Sequence, residues 1–190
     1  KGQSLCHLFV TMVAQPSAHP DTRSASMHRI LFVCLGNICR STMAQFVMED
    51  LVRRAGREGE FVIDSAGTCD EELGNPPHYG TVNKLNEVGV PVGHHRARLI
   101  RASEYADWDY IVYMDSSNGR DLRRIFSGDP EGKCVKLLSF VPEDSPLRPR
   151  ARMHDGSVRD VADPWWTHNF DDTYRDVSAA CVAMLESLEK

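Results

Sequence analysis

From residue 29 onward the apolar positions fall into two kinds of run. Some are short and nearly unbroken; others recur every three to four residues. Arg29-Ile30-Leu31-Phe32-Val33-Cys34 is of the first kind, as expected for a strand covered on both faces. Met43, Phe46, Val47, Leu51 and Val52 then recur at helical spacing, which predicts a helix over 41–56 with Gly56 as its stop. A second strand follows at 61–65, a helix at 79–88 ending at Gly89, and a third strand at 110–114. Residues 118–126 read as helix and 134–138 as the fourth strand. Residues 142–163, rich in Pro, Arg and Asp, read as a long loop. Tyr174, Val177, Ala180, Cys181, Met184, Leu185 and Leu188 stripe a closing helix over 170–190. Strands alternating with helices, the strands apolar on both sides, give an α/β fold on a parallel sheet. Ligands in such sheets bind beyond the carboxyl ends of the strands.

Residues 1–26 differ from the rest. A short apolar patch, Leu8-Phe9-Val10-Thr11-Met12-Val13-Ala14, leads into Pro16, Pro20 and a polar tail. The patch is short for a signal sequence and lacks a cationic start, so 1–26 reads as a disordered or vector-derived extension. Residues 27–190 then form the domain, with Met27 just ahead of the first strand.

Composition narrows the classes. The chain has 190 residues, 42% hydrophobic and 26% charged, which suits one globular domain rather than a disordered or fibrous chain. No apolar run approaches the ~18 residues of a membrane span, so no membrane partner is expected. A net charge of −5 disfavours a dedicated nucleic-acid binder. Six cysteines are too sparse for a disulfide-stapled scaffold and lack zinc-finger spacing. Free thiols in a reducing compartment, the cytoplasm, fit them best.

One cysteine stands in a special place. The first strand ends at Cys34, and Leu35-Gly36-Asn37-Ile38-Cys39-Arg40-Ser41 follows directly before a helix. A Cys and an Arg six positions apart carry little information alone; the setting carries more. Gly36 and Asn37 tolerate unusual backbone angles. The amides of such a loop converge on one point, and the helix N-terminus adds positive potential there. That is a site for a tetrahedral dianion. The same field favours a thiolate at Cys34. Arg40 can grip two phosphate oxygens, and the Ser41 hydroxyl can hydrogen-bond the sulfur. The plainer alternative for Cys34 is a core cysteine at a strand end.

The string Val33-Cys34-Leu35-Gly36-Asn37-Ile38-Cys39-Arg40-Ser41 resembles the phosphate-binding loop of the low-molecular-weight protein tyrosine phosphatase family. Asp64-Ser65-Ala66-Gly67, Gly74-Asn75-Pro76-Pro77, His95-Arg96-Ala97-Arg98, Met114-Asp115-Ser116-Ser117-Asn118 and Asp163-Pro164 follow in the family's order. The resemblance implies an α/β three-layer sandwich on a four-stranded parallel sheet, phosphotyrosine phosphatase I-like. It implies hydrolysis of aryl phosphate monoesters through a cysteinyl-phosphate. Cys34 would be the nucleophile, Arg40 the phosphate clamp and Asp163 the general acid and then base. Leu35, Gly36, Asn37, Ile38, Cys39 and Ser41 would bind the phosphoryl group, with Ser65 and His95 holding the loop. The partner would be a phosphotyrosine-containing protein or a small aryl phosphate, with inorganic phosphate as product. No metal or other cofactor is called for, since Arg40 and the loop amides neutralise the phosphoryl charge. Cys39 would be a thiol able to pair reversibly with an oxidised Cys34; its plain alternative is a buried filler.

The chain also departs from the family pattern. Thr42 stands where Pro is common, and Trp165 and Trp166 where two tyrosines are common. The tryptophans keep an aromatic wall for the substrate cleft, the alternative being a core pair, and remove a phosphorylation site there. Arg148, Arg150, Arg152 and Arg159 crowd a loop that looks longer than usual. They read as solvated charge or, less simply, as a docking surface. Three rival functions remain. Arginine phosphatases on this scaffold carry a smaller polar residue where this chain has Ile38. Arsenate reductases need a relay of further cysteines, and none occurs between Cys69 and Cys134. A non-catalytic phosphate-binding module would not need Cys34, Arg40 and Asp163 together.

Overall fold

The computed structural model describes residues 27–146 and 148–188. The extension over 1–26, including Cys6, and the side chain of Arg148 lie outside the described residues. Four parallel strands form one sheet: β1 (His28–Cys34), β2 (Phe61–Gly67), β3 (Tyr110–Tyr113) and β4 (Cys134–Lys136), in the order β2-β1-β3-β4. β1 is therefore central, paired with β2 from His28↔Phe61 to Cys34↔Gly67 and with β3 from Ile30↔Tyr110 to Val33↔Tyr113.

Alternate residues of β1 serve opposite layers, which is why the run is unbroken. Ile30 and Phe32 pack with Met43, Phe46 and Val47 of α1 (Arg40–Arg54) and with Val177, Cys181 and Met184 of α6 (Phe170–Ser187). Leu31 and Val33 pack on the other face with Ile111, Trp108 and Leu122, the last from α3 (Ser116–Ile125). The result is the three-layer α/β sandwich on a parallel sheet. α2 (Tyr79–Glu87) lies near α6, and Gly80 makes that approach possible. A Cβ at Gly80 would fall 2.3 Å from the Phe170 ring.

The strand order doubles back at β1, with β2 on one side and β3 on the other, so a crevice opens beyond the carboxyl end of β1. The residues around it come from the ends of β1, β2 and β3 and from the segment before α6. Two stretches differ from the sequence expectation. β4 stops at Lys136, and Leu137–Phe140 turn into a 3-10 helix that buries Leu137 and Leu138. Residues 142–163 are not plain loop. They hold a short helix, α4 (Arg148–Ala151), and an antiparallel bridge between Arg152 and Val158. The arginines there brace the segment: Arg159 pairs with Asp176 and Arg150 with Asp172, both acids on α6. Among the described residues no helix is long and apolar enough to cross a membrane.

Candidate active site

Residues 35–39 form the turn from β1 into α1, and Asn37 fixes its shape. Asn37 is fully buried and sits in the left-handed region at φ 57°, which Asn adopts more readily than most residues. Its side-chain oxygen accepts from the Arg98 backbone N–H at 3.0 Å. Its Nδ2 then donates to Ser41 Oγ at 2.9 Å and Ser65 Oγ at 2.8 Å. Ser65 Oγ donates onward to Gln45 Oε1 at 2.7 Å. The Asn37 backbone carbonyl lies 3.1 Å from His95 Nε2; a carbonyl only accepts, so Nε2 carries the hydrogen. Burial lowers the His95 pKa, opposed by its bond to Asn37 and the charge of Asp64, so the ring stays a neutral donor. The loop also leans on Gly67, where a Cβ would stand 2.7 Å from the Leu35 carbonyl oxygen and 3.3 Å from Asn37 Cβ. Gly67→Ala should therefore cost about 1–3 kcal/mol, a melting temperature lower by roughly 3–10 °C in thermal unfolding.

This frame delivers hydrogen bonds to one sulfur. Cys34 Sγ lies 3.1 Å from Ser41 Oγ and 3.3 Å from the Asn37 N–H. Ser41 Oγ already accepts from Asn37, which leaves its own hydrogen for the sulfur. α1 begins one residue earlier than expected, at Arg40, and no side chain caps it. Its first N–H groups are left to face the loop, the arrangement that binds anions. Cys39 at the N-cap is different in kind. Burial and the nearby Cys34 and Asp163 push its pKa up to about 12, so it stays a neutral thiol. Both cysteines are free.

Arg40 is 2% exposed and is held from both sides. Its Nη1 donates to Asp115 Oδ2 at 2.6 Å and its Nη2 to Asp163 Oδ2 at 2.5 Å. Its Nε has no partner. Burial opposes the charge on Asp115, but hydrogen bonds from Ser117, the Asn118 N–H and Arg40 outweigh it and lower its pKa. Asp115 also caps α3 through Asn118. Asp163, at the N-cap of α5 (Pro164–Thr167), accepts from the Trp165 N–H at 3.1 Å. Pro164 opens that helix at its first position, where no N–H is missed.

Above the loop is a cleft of about 160 Å³ lined by Cys34, Arg40, Asp163, Trp165, Trp166, Glu71 and Glu72. Leu35, Gly36, Ile38 and Cys39 floor it. Trp165 and Trp166 are 45% and 75% exposed, so they form a wall and not a core pair. The structure thus gathers the sequence-derived cysteine, arginine and aspartate in one cleft. It sets Ser65 and His95 behind the loop, in contact with Asn37 and not with the cleft.

Residues 29–190 match the family described as low molecular weight phosphotyrosine protein phosphatase. The chain belongs to this family. It is 37% identical over 164 residues to the low molecular weight protein-tyrosine-phosphatase YfkJ of Bacillus subtilis, covering 86% of this chain and 97% of YfkJ. The crystal structure of YfkJ superposes with a TM-score of 0.77 over 87% of this chain and 97% of that one, at 36% identity. Low molecular weight phosphotyrosine protein phosphatase 2 of Drosophila melanogaster is 36% identical over 152 residues, 80% of this chain and 87% of the relative. The crystal structure of a Drosophila arginine phosphatase is also similar, at TM-score 0.70 and 28% identity over 85% of this chain and 98% of that one.

Sequence reasoning on this low molecular weight phosphatase missed several contacts. Asp115, Gln45 and Arg98 received no role, because their partners lie far away in sequence, and neither did Glu71 and Glu72, which no motif marks. Asp115 had the best available signal. It stands at the carboxyl end of a strand next to the central one, where α/β sites are built. Its hold on Arg40 gives a direct test. Asp115→Asn keeps an N-cap residue but removes the charge that steers Nη1. It should lower kcat/KM on p-nitrophenyl phosphate on the order of tenfold to a hundredfold, less than removing a transition-state donor outright. Asp115→Ala should match that loss and, without the cap, unfold more easily by about 1 kcal/mol in denaturant titration.

Proposed function

We propose that this phosphatase hydrolyses phosphotyrosine in proteins, and small aryl phosphates, through a phosphoryl group carried on Cys34. The observation that carries the reading is one cleft in which Cys34 Sγ meets the Ser41 hydroxyl and the Asn37 N–H beside Arg40 and Asp163. Cys34 attacks phosphorus as a thiolate while the bond to the phenolic oxygen breaks. The loop N–H groups and the free Nε edge of Arg40 stabilise the equatorial oxygens as they flatten. A dianion at Arg40 takes that cation from Asp163 and adds negative charge beside it. The Asp163 carboxyl, in its protonated form, gives its proton to the leaving phenolate. The same carboxylate then takes a proton from the water that attacks the phosphoryl group. Ser41 steadies the departing thiolate, and inorganic phosphate is released.

The aromatic wall of Trp165 and Trp166 suits a flat leaving group. Ile38 is buried against Ala97 and Cys39 and offers no polar group to a guanidinium. The five described cysteines are free thiols, which suits a reducing compartment such as the cytoplasm. Matched peptides bearing phosphotyrosine, phosphoserine or phosphoarginine test the reading. A kcat/KM for phosphotyrosine at least about a hundredfold above the other two is expected, about 2.7 kcal/mol of discrimination. Faster turnover of phosphoarginine would contradict it.

A further inference from the structure

We infer that the Glu71–Glu72 side of the cleft selects phosphotyrosyl peptides with a lysine or arginine next to the phosphotyrosine. The inference rests on the phosphotyrosine reading above. The cleft is lined by two unlike sets of side chains. Trp165 and Trp166 line it, and so do Glu71 and Glu72, from the segment after β2. Glu72 is seated against the phosphate loop itself: a Cβ at Gly36 would lie 3.1 Å from Glu72 Cγ. Its carboxylate accepts from Asn75 Nδ2 at 2.7 Å, a neutral donor, and its charge also reaches His78, whose pKa it raises against the larger lowering by burial. Among the described residues no salt bridge engages Glu71 or Glu72.

Cations near the cleft are already committed. Arg40 is the one Lys or Arg among the described residues that lines it, and it is buried at the base between Asp115 and Asp163. Arg124, in the adjoining groove with Cys69 and Asp70, pairs with Asp121 at 3.2 Å. His78, beside Trp165, is kept towards its neutral form chiefly by burial. The dianion is therefore received at the base by Arg40, whose Nε is unpartnered, while the rim above it is negative.

A rim of that sign sorts substrates by the residues flanking the phosphotyrosine. Flanking Asp or Glu meets like charge in a cleft that concentrates the field. Flanking Lys or Arg meets the Glu71 and Glu72 carboxylates and can lie on an indole face of Trp165 or Trp166. Both sets of side chains thus favour a cation and neither favours an acid. The preference is electrostatic, so salt should weaken it.

Three peptides differing only at the residues beside phosphotyrosine, with Lys, Ala or Glu there, give the test. Wild type should show a kcat/KM ratio of Lys to Glu peptide of about tenfold or more at low salt, shrinking at high salt. The ratio should fall towards one in the E71Q/E72Q double variant and invert in E71K/E72K. Because the measure is a ratio within each variant, a change in overall activity or folding does not mimic it. A wild-type ratio within about twofold of one, or a full ratio surviving in E71Q/E72Q, would overturn the inference. Turnover of phosphoarginine peptides with none of the three phosphotyrosine peptides would instead overturn the phosphotyrosine reading itself.

Discussion

Replacing Cys34 with serine should reduce p-nitrophenyl phosphate hydrolysis by at least about 10,000-fold, the scale on which removing a covalent nucleophile acts. Serine is close in shape, and the loop does not depend on the sulfur for its form. Asn37, Ser65, His95 and Arg98 hold it through bonds that leave Cys34 out. The variant should therefore still bind inorganic phosphate, measured by calorimetry or by protection against thermal unfolding. What it loses is reactivity. A hydroxyl beside the same donors is not ionised near neutral pH, whereas a thiol can be. Retained phosphate binding with abolished turnover separates chemistry from folding. Loss of both would point to a loop held by the cysteine.

Asp163→Asn should slow turnover by about 100- to 10,000-fold for phenyl phosphate, whose leaving group needs a proton. The loss in leaving-group departure should be much smaller for p-nitrophenyl phosphate, whose phenolate leaves readily. The contrast matters because Asp163 has two attachments at rest, to Arg40 and to the Trp165 N–H. If its service were only to position Arg40, the substitution would slow both substrates equally. A steeper dependence on leaving-group basicity identifies proton donation. It also separates Asp163 from Asp115, which holds the same guanidinium from the other side and should affect both substrates alike.

The legible parts of this phosphatase were those written in contiguous sequence. β1 announced itself because both faces are buried, and the loop after it because Gly36, Asn37, Arg40 and Ser41 follow in a row. The boundaries that slipped did so for local reasons. α3 starts at Ser116, two residues early, because Asp115 and Asn118 form a reciprocal cap. β4 is cut short because Leu137 and Leu138 reach their core as a turn and not as a strand. The 142–163 segment looked like loop because Pro and Arg dominate it. Its order comes from Arg159 and Arg150 reaching acids on α6, contacts that no local pattern records. Asp115 was hidden for the same reason, 75 positions from Arg40. Asp163 lies farther still, yet Asp163-Pro164 stood out by its order among the family motifs. The two glutamates of the rim had no motif at all, and only the shape of the cleft gives them a role.

The most direct test of the account is to find the phosphoryl group on the enzyme. In Asp163→Asn with p-nitrophenyl phosphate, phosphorylation proceeds with an activated leaving group while hydrolysis lacks its base. The intermediate should therefore accumulate. Acid quenching followed by peptide mass spectrometry should find one phosphoryl adduct, on Cys34, absent from the Cys34→Ser, Asp163→Asn double variant. Turnover with no adduct on Cys34, or with the phosphoryl group on another residue, would contradict the covalent mechanism.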